Sequence, residues 1–159
     1  KTELSQSSGE KAILLEDFRW RKSQIKATSL LANVIYRSEA KHQEVFETIL
    51  FEDGFITEGA VSNVFCCKDN KIITPPLSEN ILPGITRKVI LEVIQDISLE
   101  YEESKIPIES FLEAEEIWVT NSTKGIIPII DLDGKKIGSG NPGEKYLKVS
   151  EAFMAKLLD

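Results

Sequence analysis

The sequence from Val45 to Thr57 reads VFETILFEDGFIT. Two runs rich in apolar, β-branched and aromatic residues flank the dipeptide Asp53-Gly54. An Asp-Gly pair between such runs is a strong hairpin signal, because both residues tolerate the positive φ angles of a tight turn. The stretch therefore predicts two antiparallel strands, Val45–Phe51 and Phe55–Thr57, and puts a β-sheet at the centre of the fold.

Outward from this hairpin, short apolar and alternating runs predict further strands, and apolar residues at helical spacing predict helices. The further strands are Ala12–Leu15, Phe18–Trp20, Ser62–Cys67, Ile72–Thr74, Leu99–Glu103, Glu116–Thr120, Ile126–Leu132 and Lys135–Ile137. Four helices are predicted: the first from a cap at Thr28 or Ser29 to Lys41, the second including Val89–Ile97, the third from Pro107 to Ala114, and the fourth over Glu144–Leu158. Because strands and helices are intermixed without strict alternation, the pattern predicts an α+β or mixed α/β domain.

The composition excludes several classes of protein. The 159 residues include 26 acidic and 19 basic ones, a net charge of -7, which argues against a nucleic-acid surface. No apolar stretch reaches the roughly 18–20 residues that a membrane span needs. His42 and the adjacent Cys66 and Cys67 cannot build a standard zinc site, so no metal is expected. Neighbouring cysteines are also a poor disulfide pair, and we predict a cytoplasmic location.

The sequence begins at Lys1 without an initiator Met or a signal peptide. We therefore expect it to be a piece of a longer protein. Residues Lys1–Glu10 are polar and include Ser7-Ser8-Gly9, which is typical of a linker. We predict that 1–10 is a linker or domain edge and that 11–159 form one domain.

Two polar loops are candidates for binding an anion. The segment Ile81–Arg87 contains Pro83-Gly84 and leads directly into a helix, whose first N–H groups then point outward. The segment Thr120–Gly125 follows a strand and is dense in short hydrogen-bonding side chains. Capped polar loops are common, so each loop alone is weak evidence for a binding site.

Lys26 and Glu58 are candidates for chemistry. Lys26 precedes a helix start, where the helix dipole and partial burial would favour the neutral amine that attacks a carbonyl group. Most lysines are solvated surface charges, however. Glu58 lies at the end of a hairpin strand, where a carboxylate that faces a pocket can hold a proton on a ring nitrogen. Taken alone, Glu58 is better interpreted as a turn residue.

Together these features resemble the class IV aminotransferases, which use pyridoxal 5′-phosphate (PLP). This group includes D-amino-acid aminotransferase, branched-chain aminotransferase and aminodeoxychorismate lyase. The resemblance runs from about Asp17 to Gly143, and several blocks occur in the same order and spacing. These blocks are Ile25-Lys26 with 30–34, Thr57-Glu58-Gly59 with 62–65, Thr74–Pro76 through Ile81–Arg87, Ala114–Glu116, Val119–Thr123 with Pro128, Asp133-Gly134, and Gly140–Gly143.

The resemblance implies roles for the residues that match the family's pattern. Lys26 matches the lysine that forms a Schiff base with the cofactor and later transfers the proton. Glu58 matches the carboxylate that pairs with the pyridine nitrogen. Arg19 matches an arginine near the 3′-oxygen of the cofactor in the D-amino-acid enzymes.

The remaining matches surround the cofactor's ring and phosphate. Leu82 matches a side chain that packs against the ring. Ile85 and Thr86 match phosphate donors at a helix start, as the first polar loop suggested. Asn121 and Ser122 fall where the family has its second phosphate loop.

The resemblance also implies a fold and a function. The fold is that of the larger, C-terminal domain of fold-type IV PLP enzymes, a mixed-sheet pseudo-barrel with surrounding helices. The expected activity is transamination between an amino acid and a 2-oxo acid, of the D-amino-acid type, in a homodimer. Aminodeoxychorismate lyase activity is an alternative, because Ala60-Val61 replace serines that the D-amino-acid enzymes tend to have, and branched-chain aminotransferase activity is a further one. A non-catalytic anion-binding domain is a further alternative.

Overall fold

A computed structural model describes residues 8–158, which form nine strands and four helices. The strands are β1 (Glu10–Glu16), β2 (Glu47–Glu52), β3 (Phe55–Gly59), β4 (Asn63–Lys68), β5 (Lys71–Thr74), β6 (Tyr101–Glu103), β7 (Glu116–Asn121), β8 (Gly125–Leu132) and β9 (Lys135–Lys136). The helices are α1 (Leu31–His42), α2 (Ile85–Asp96), α3 (Ile108–Leu112) and α4 (Glu144–Leu158).

All nine strands belong to one mixed sheet in the order β3-β2-β1-β8-β7-β4-β5-β6, with β9 paired to β8. β1 runs parallel to both β2 and β8, whereas β2–β3, β4–β5, β4–β7 and β7–β8 are antiparallel. The sheet curls into a half-barrel, which confirms the predicted mixed-sheet pseudo-barrel of α+β class. The hairpin around Asp53-Gly54 is also confirmed, and Asp53 has the expected positive φ of 50°.

Two large apolar clusters pack against this sheet, and a third, smaller one joins Tyr36 of α1 to Leu50 of β2. One large cluster joins side chains of the sheet to Phe111 of α3, and Phe111 is completely buried. The other large cluster lies between the sheet and helices α2 and α4, where Trp118 stacks on Phe65 with ring centroids 6.0 Å apart. Burying side chains of this size supplies the main favourable free energy of folding. This packing holds the ends of β3, β4 and β7 in place, and these ends carry the candidate site.

The structure corrects two local predictions in the segment before α1. Phe18–Trp20 is not a strand, because Asp17 Oδ1 accepts a hydrogen bond from the Arg19 backbone N–H at 3.0 Å and turns the chain. Neither Thr28 nor Ser29 caps α1, which begins after Leu30 without a side-chain cap. The helix buries Tyr36 and Ala40, whereas the stripe of apolar residues at helical spacing, which predicted this helix, faces outward. The members of that stripe are Leu30, Leu31, Val34 and Ile35, which are 47–74% exposed.

Other predictions concern the chain's start, membranes and metals. Residues 1–7 of the predicted linker lie outside the described residues, and Glu10 is already the first residue of β1. No helix between residues 8 and 158 combines the length and the apolar character needed to cross a membrane. Over the same residues, no group of His, Cys, Asp or Glu has an arrangement that could hold a metal ion.

Candidate active site

A cavity of about 350 Å³ opens where β3, β4 and β7 meet the start of α2 and the segment before α1. Its size is within the range of small-molecule sites, about 300–1,000 Å³. Most of the site residues predicted from the sequence line this cavity, although they come from four distant parts of the chain. They are Arg19, Lys26, Glu58, Leu82, Thr86, Asn121 and Ser122.

Glu58 is the buried acid of the cavity and is only 3% exposed. Its Oε1 accepts a hydrogen bond from Arg19 Nη1 at 2.7 Å, and its Oε2 accepts from Asn63 Nδ2 and the Leu82 N–H, both at 3.0 Å. Burial raises the pKa of Glu58 to about 7, while the Arg19 charge and these hydrogen bonds oppose the rise. Glu58 is part of β3, so its interpretation as a turn residue is wrong.

Arg19 is the cation that accompanies Glu58. Asp17 accepts from Arg19 Nε at 2.9 Å and from Nη2 at 2.7 Å, and the Asn80 carbonyl accepts from Nη2 at 3.0 Å. Burial alone would lower the pKa of Arg19, but its bonds to Asp17 and the charge of Glu58 raise it above the ordinary value. Arg19 is therefore a fixed positive charge held between two carboxylates.

Asn63 and Asp17 are site residues that our sequence reasoning missed. Asn63 Nδ2 bridges Glu58 and the Leu82 carbonyl, 2.8 Å away, and so joins β4 to the loop before α2. The sequence did contain a signal, since Asn63 begins a strand four residues after the Glu58-Gly59 pair, where only a short turn separates two antiparallel segments. Asp17 had no such signal, because its contact with Thr57 Oγ1 at 3.0 Å spans 40 positions.

The start of α2 forms one polar wall of the cavity. Gly84 precedes the helix, and no side chain caps the first turn, which leaves N–H groups available for an anion. A Cβ at Gly84 would lie 2.1 Å from Asn63 Oδ1, so this close approach requires glycine. Thr86 lines the cavity and is 9% exposed, whereas the Ile85 side chain is 77% exposed and lies outside it.

The loop after β7 forms a second polar wall. Asn121 Oδ1 accepts hydrogen bonds from the Thr123 N–H at 3.1 Å and the Lys124 N–H at 2.8 Å, which fixes the turn. Ser122 is exposed beside it and lines the cavity. The neighbouring Thr120 Oγ1 is buried and has no hydrogen-bond partner within residues 8–158, although it faces this cavity. A buried hydroxyl of this kind favours a polar ligand.

Lys26 lies in the irregular segment between β1 and α1. It lines the cavity, and its side chain makes no hydrogen bond or ion pair with the described residues. It is exposed, so the predicted partial burial is wrong. The segment is nevertheless tied down, because the Phe18 N–H donates to Tyr36 Oη at 2.7 Å and the Gln24 N–H donates to the Glu79 carbonyl at 3.1 Å.

Comparisons with known proteins agree with this geometry. A model of the amino-transferase class IV family matches residues 5–132. A D-alanine aminotransferase from Bacillus licheniformis is 39% identical over 158 residues, which are 99% of this chain and 56% of that protein. Another from Staphylococcus haemolyticus is 34% identical, over 92% of this chain and 52% of that protein. The crystal structure of the branched-chain amino acid aminotransferase from Escherichia coli superposes with a TM-score of 0.87 and 28% identity, over 96% of this chain and 52% of that one.

The half-barrel matches fold-type IV aminotransferase structures. The chain belongs to the amino-transferase class IV family. This confirms the resemblance that the sequence blocks indicated. The chain spans about half the length of the curated relatives that it matches.

Proposed function

We propose that the protein containing this chain is a PLP-dependent aminotransferase that exchanges an amino group between a D-amino acid and a 2-oxo acid. The observation that carries the proposal is the buried Glu58 in a cavity that also contains Lys26 and two polar loops. The names of the relatives from Bacillus licheniformis and Staphylococcus haemolyticus support the choice of substrate.

The hydrogen bonds of Glu58 fit a ring nitrogen that carries a proton. An ionised carboxylate has about four acceptor positions. Arg19 fills one on Oε1, and Asn63 and Leu82 fill two on Oε2. One position on Oε1 therefore remains for an N–H donor. A cationic donor at this position would also stabilise the ionised form of Glu58, which burial disfavours.

The two polar walls fit a phosphate group. Helix α2 begins at the cavity lining without a side-chain cap, so its first N–H groups are available to an anion, and Thr86 adds a hydroxyl. Across from them, Asn121 and Ser122 line the second wall, and the unpartnered Thr120 hydroxyl is a donor for a phosphate oxygen. We propose that Ile85 contributes its backbone N–H rather than its exposed side chain.

In this proposal, bound PLP supplies an electron sink for the bond that is broken at the substrate Cα. Lys26 would hold the cofactor covalently through Nζ, and its amine, once displaced by the amino group of the substrate, would move the proton from Cα. Glu58 keeps the ring nitrogen protonated, and Leu82 packs against the ring. Arg19 has four of its five N–H groups engaged, so one on Nη1 remains for an oxygen on the ring.

The test of the cofactor assignment is borohydride reduction of the holoprotein, followed by peptide mass spectrometry. We expect a pyridoxyl adduct on Lys26. Lys22 gives a matched control, because it lies in the same segment but forms an ion pair with Glu79. The adduct should disappear in K26A and persist in K22A. An intact holoprotein without an adduct on Lys26 contradicts the enzyme assignment and supports a non-catalytic anion-binding domain.

Aminodeoxychorismate lyase activity is a second candidate. It is favoured by Ala60 and Val61, which line the cavity beside Glu58 and make its surroundings less polar. Incubation with D-alanine and 2-oxoglutarate, and separately with aminodeoxychorismate, distinguishes the two activities. Glutamate formation without 4-aminobenzoate rejects the lyase. Branched-chain L-amino acids as amino donors test the third alternative.

Homodimerisation and a cytoplasmic location stay predictions, as do the boundaries of the predicted domain. The family resemblance supports the dimer. Light scattering on the purified protein tests it, because a dimer has twice the mass of the single chain.

A further inference from the structure

A second buried carboxylate, Glu47, lies at the start of β2 behind the turn that follows Glu58. It is 0% exposed and is not among the residues that line the cavity. Its Oε2 accepts from Ser62 Oγ at 2.7 Å and its Oε1 accepts from the Thr48 N–H at 2.9 Å. The Val61 N–H is a third donor, and Arg37 Nη1 lies 3.7 Å from Oε1. Burial raises the pKa of Glu47, while these hydrogen bonds and the Arg37 charge oppose the rise.

The turn at 59–62 connects the two residues that hold each other at the base of the cavity. Glu58 directly precedes the turn and Asn63 directly follows it. Asn63 Nδ2 donates a hydrogen bond to Glu58 Oε2 at 3.0 Å. The turn is closed by a hydrogen bond from the Gly59 N–H to the Ser62 carbonyl at 2.7 Å. Any movement of the turn would therefore change the distance between Glu58 and Asn63.

The turn packs directly on the Glu47 carboxylate. A Cβ at Gly59 would lie 2.1 Å from Ser62 Oγ and 3.1 Å from Glu47 Oε2, so no side chain fits between the turn and the carboxylate. From the other side, Asn33 Nδ2 donates to the Ala60 carbonyl at 2.7 Å. Because Glu47 binds the Val61 and Ser62 half of the turn, it holds the part that Asn33 does not reach.

We propose that Glu47 is a positioning residue, which fixes the 59–62 turn and thereby sets the Glu58 carboxylate for the ring nitrogen of the cofactor. The effect on the cofactor rests on the proposed function, whereas the hydrogen bonds of Glu47 to the turn do not. Removal of the charge and of one acceptor oxygen from Glu47 weakens its hydrogen bonds to the turn, which loosens the turn. The carboxylate of Glu58 is then no longer held in one orientation, although the Glu58 side chain itself is unchanged.

The test compares E47Q with wild-type protein in two measurements. E47Q keeps the size of the side chain but loses the negative charge and one acceptor oxygen, so its amide nitrogen faces either a backbone N–H or the Ser62 hydroxyl, which must then accept instead of donate. We expect the Gly59 and Ala60 amides to exchange hydrogen at least tenfold faster in E47Q, without cofactor present. We expect the affinity of the apoprotein for PLP, measured by absorbance titration, to fall at least tenfold.

Glu116 provides the matched control. Its carboxylate accepts two backbone N–H groups at the start of α4 and does not line the cavity. E116Q removes one of two acceptor oxygens in the same way, so it reproduces a structural loss without touching the turn. It should leave the exchange of Gly59 and Ala60 and the PLP affinity within twofold of wild type. S62A deletes only one donor, so it should raise the hydrogen exchange of Gly59 and Ala60 and lower the PLP affinity, each by less than E47Q does. S62A takes the place of E47Q in the test if E47Q does not fold.

The possible outcomes separate the two proposals. The positioning role is overturned if E47Q and E116Q change the PLP affinity equally. It is also overturned if hydrogen exchange at Gly59 and Ala60 is unchanged in E47Q and S62A. If wild-type protein does not bind PLP, the proposed function fails, yet the exchange measurement still decides whether Glu47 holds the turn.

Discussion

Replacement of Glu58 by Gln should remove a pH dependence of folding stability. Glu58 is 3% exposed, and burial raises its pKa from 4.5 to about 7, against the opposing charge of Arg19. Gln has a similar size but does not titrate. The comparison of the two proteins at several pH values therefore isolates the proton on this one carboxyl group.

The sign and size of the effect follow from linkage. Between pH 4.5 and 7 the folded protein keeps the proton of Glu58, whereas the unfolded chain releases it. The unfolded state then binds fewer protons, so the free energy of unfolding falls as the pH rises. At about 1.4 kcal/mol for each pH unit, the loss between pH 4.5 and 7 is about 3 kcal/mol. E58Q should lose about 3 kcal/mol less than wild type over this range.

Urea denaturation of the cofactor-free protein between pH 4.5 and 8.5 measures this difference. The fluorescence of Trp118 reports unfolding, because its ring is completely buried in the core between sheet and helices. E151Q is the matched control, since Glu151 is exposed on α4 and its replacement also removes one carboxylate. Apart from Glu58 and Glu151, every titrating group is present in both variants, so the contributions of those groups cancel when the pH dependence of the two free energies of unfolding is compared.

A constant difference between wild type and E58Q over the whole pH range would refute the reasoning. If the free energy of unfolding of wild type instead rises with pH relative to that of E58Q, the attraction by Arg19 outweighs the burial of Glu58. In that case the folded-state pKa lies below 4.5, and the sign of the linkage reverses.

Three further predictions concern stability, the cavity and the thiols. Glu116→Ala should lower the free energy of unfolding by about 1–2 kcal/mol, because two N–H groups at the start of α4 lose their acceptor; urea denaturation measures this. Gly84→Ala should weaken PLP binding at least tenfold in an absorbance titration, because its Cβ would lie 2.1 Å from Asn63 Oδ1 and displace that side chain from Glu58. Cys66 and Cys67 should resist a thiol reagent at pH 7.5 in folded protein, because burial raises the pKa of both and brings that of Cys66 to about 12.

Each of these predictions has a control and a contradictory outcome. G134A has open space around its Cβ, and its φ of +76° strains only a turn away from the cavity, so it should not change PLP binding; equal effects of the two glycine variants would contradict the steric argument. Urea-unfolded protein should react at both thiols, and rapid labelling of the folded protein would show that the sheet opens at β4. An unchanged stability of E116A would mean that water replaces the carboxylate.

Local signals explain which parts of the fold were predictable. The Asp53-Gly54 turn and the helix over residues 85–96 follow from neighbouring residues, and both were predicted close to their observed bounds. The strand pairing of β1 with β8 joins residues more than 100 positions apart, and no local pattern indicates it. The irregular segment around Phe18 has alternating side chains, but the Asp17 hydrogen bond overrides this pattern.

The candidate site was predictable to a similar extent. Lys26, Glu58 and the two polar loops were found because their residue types match a family pattern, and the structure brings them to one cavity. The exposure of Lys26 was not predicted, since burial depends on packing between distant segments. Asn63 and Glu47 form hydrogen bonds with residues on or beside the 59–62 turn, and our sequence analysis assigned neither of them to the site.

The cavity draws its walls from residues near positions 19–30, 58–63, 82–86 and 120–123. A ligand that touches all four segments can bind only when the whole sheet has formed. Such a ligand stabilises the folded state by an amount that grows with the logarithm of its concentration. If the proposed cofactor is that ligand, its supply in a cell would thus set how long the protein survives proteolysis.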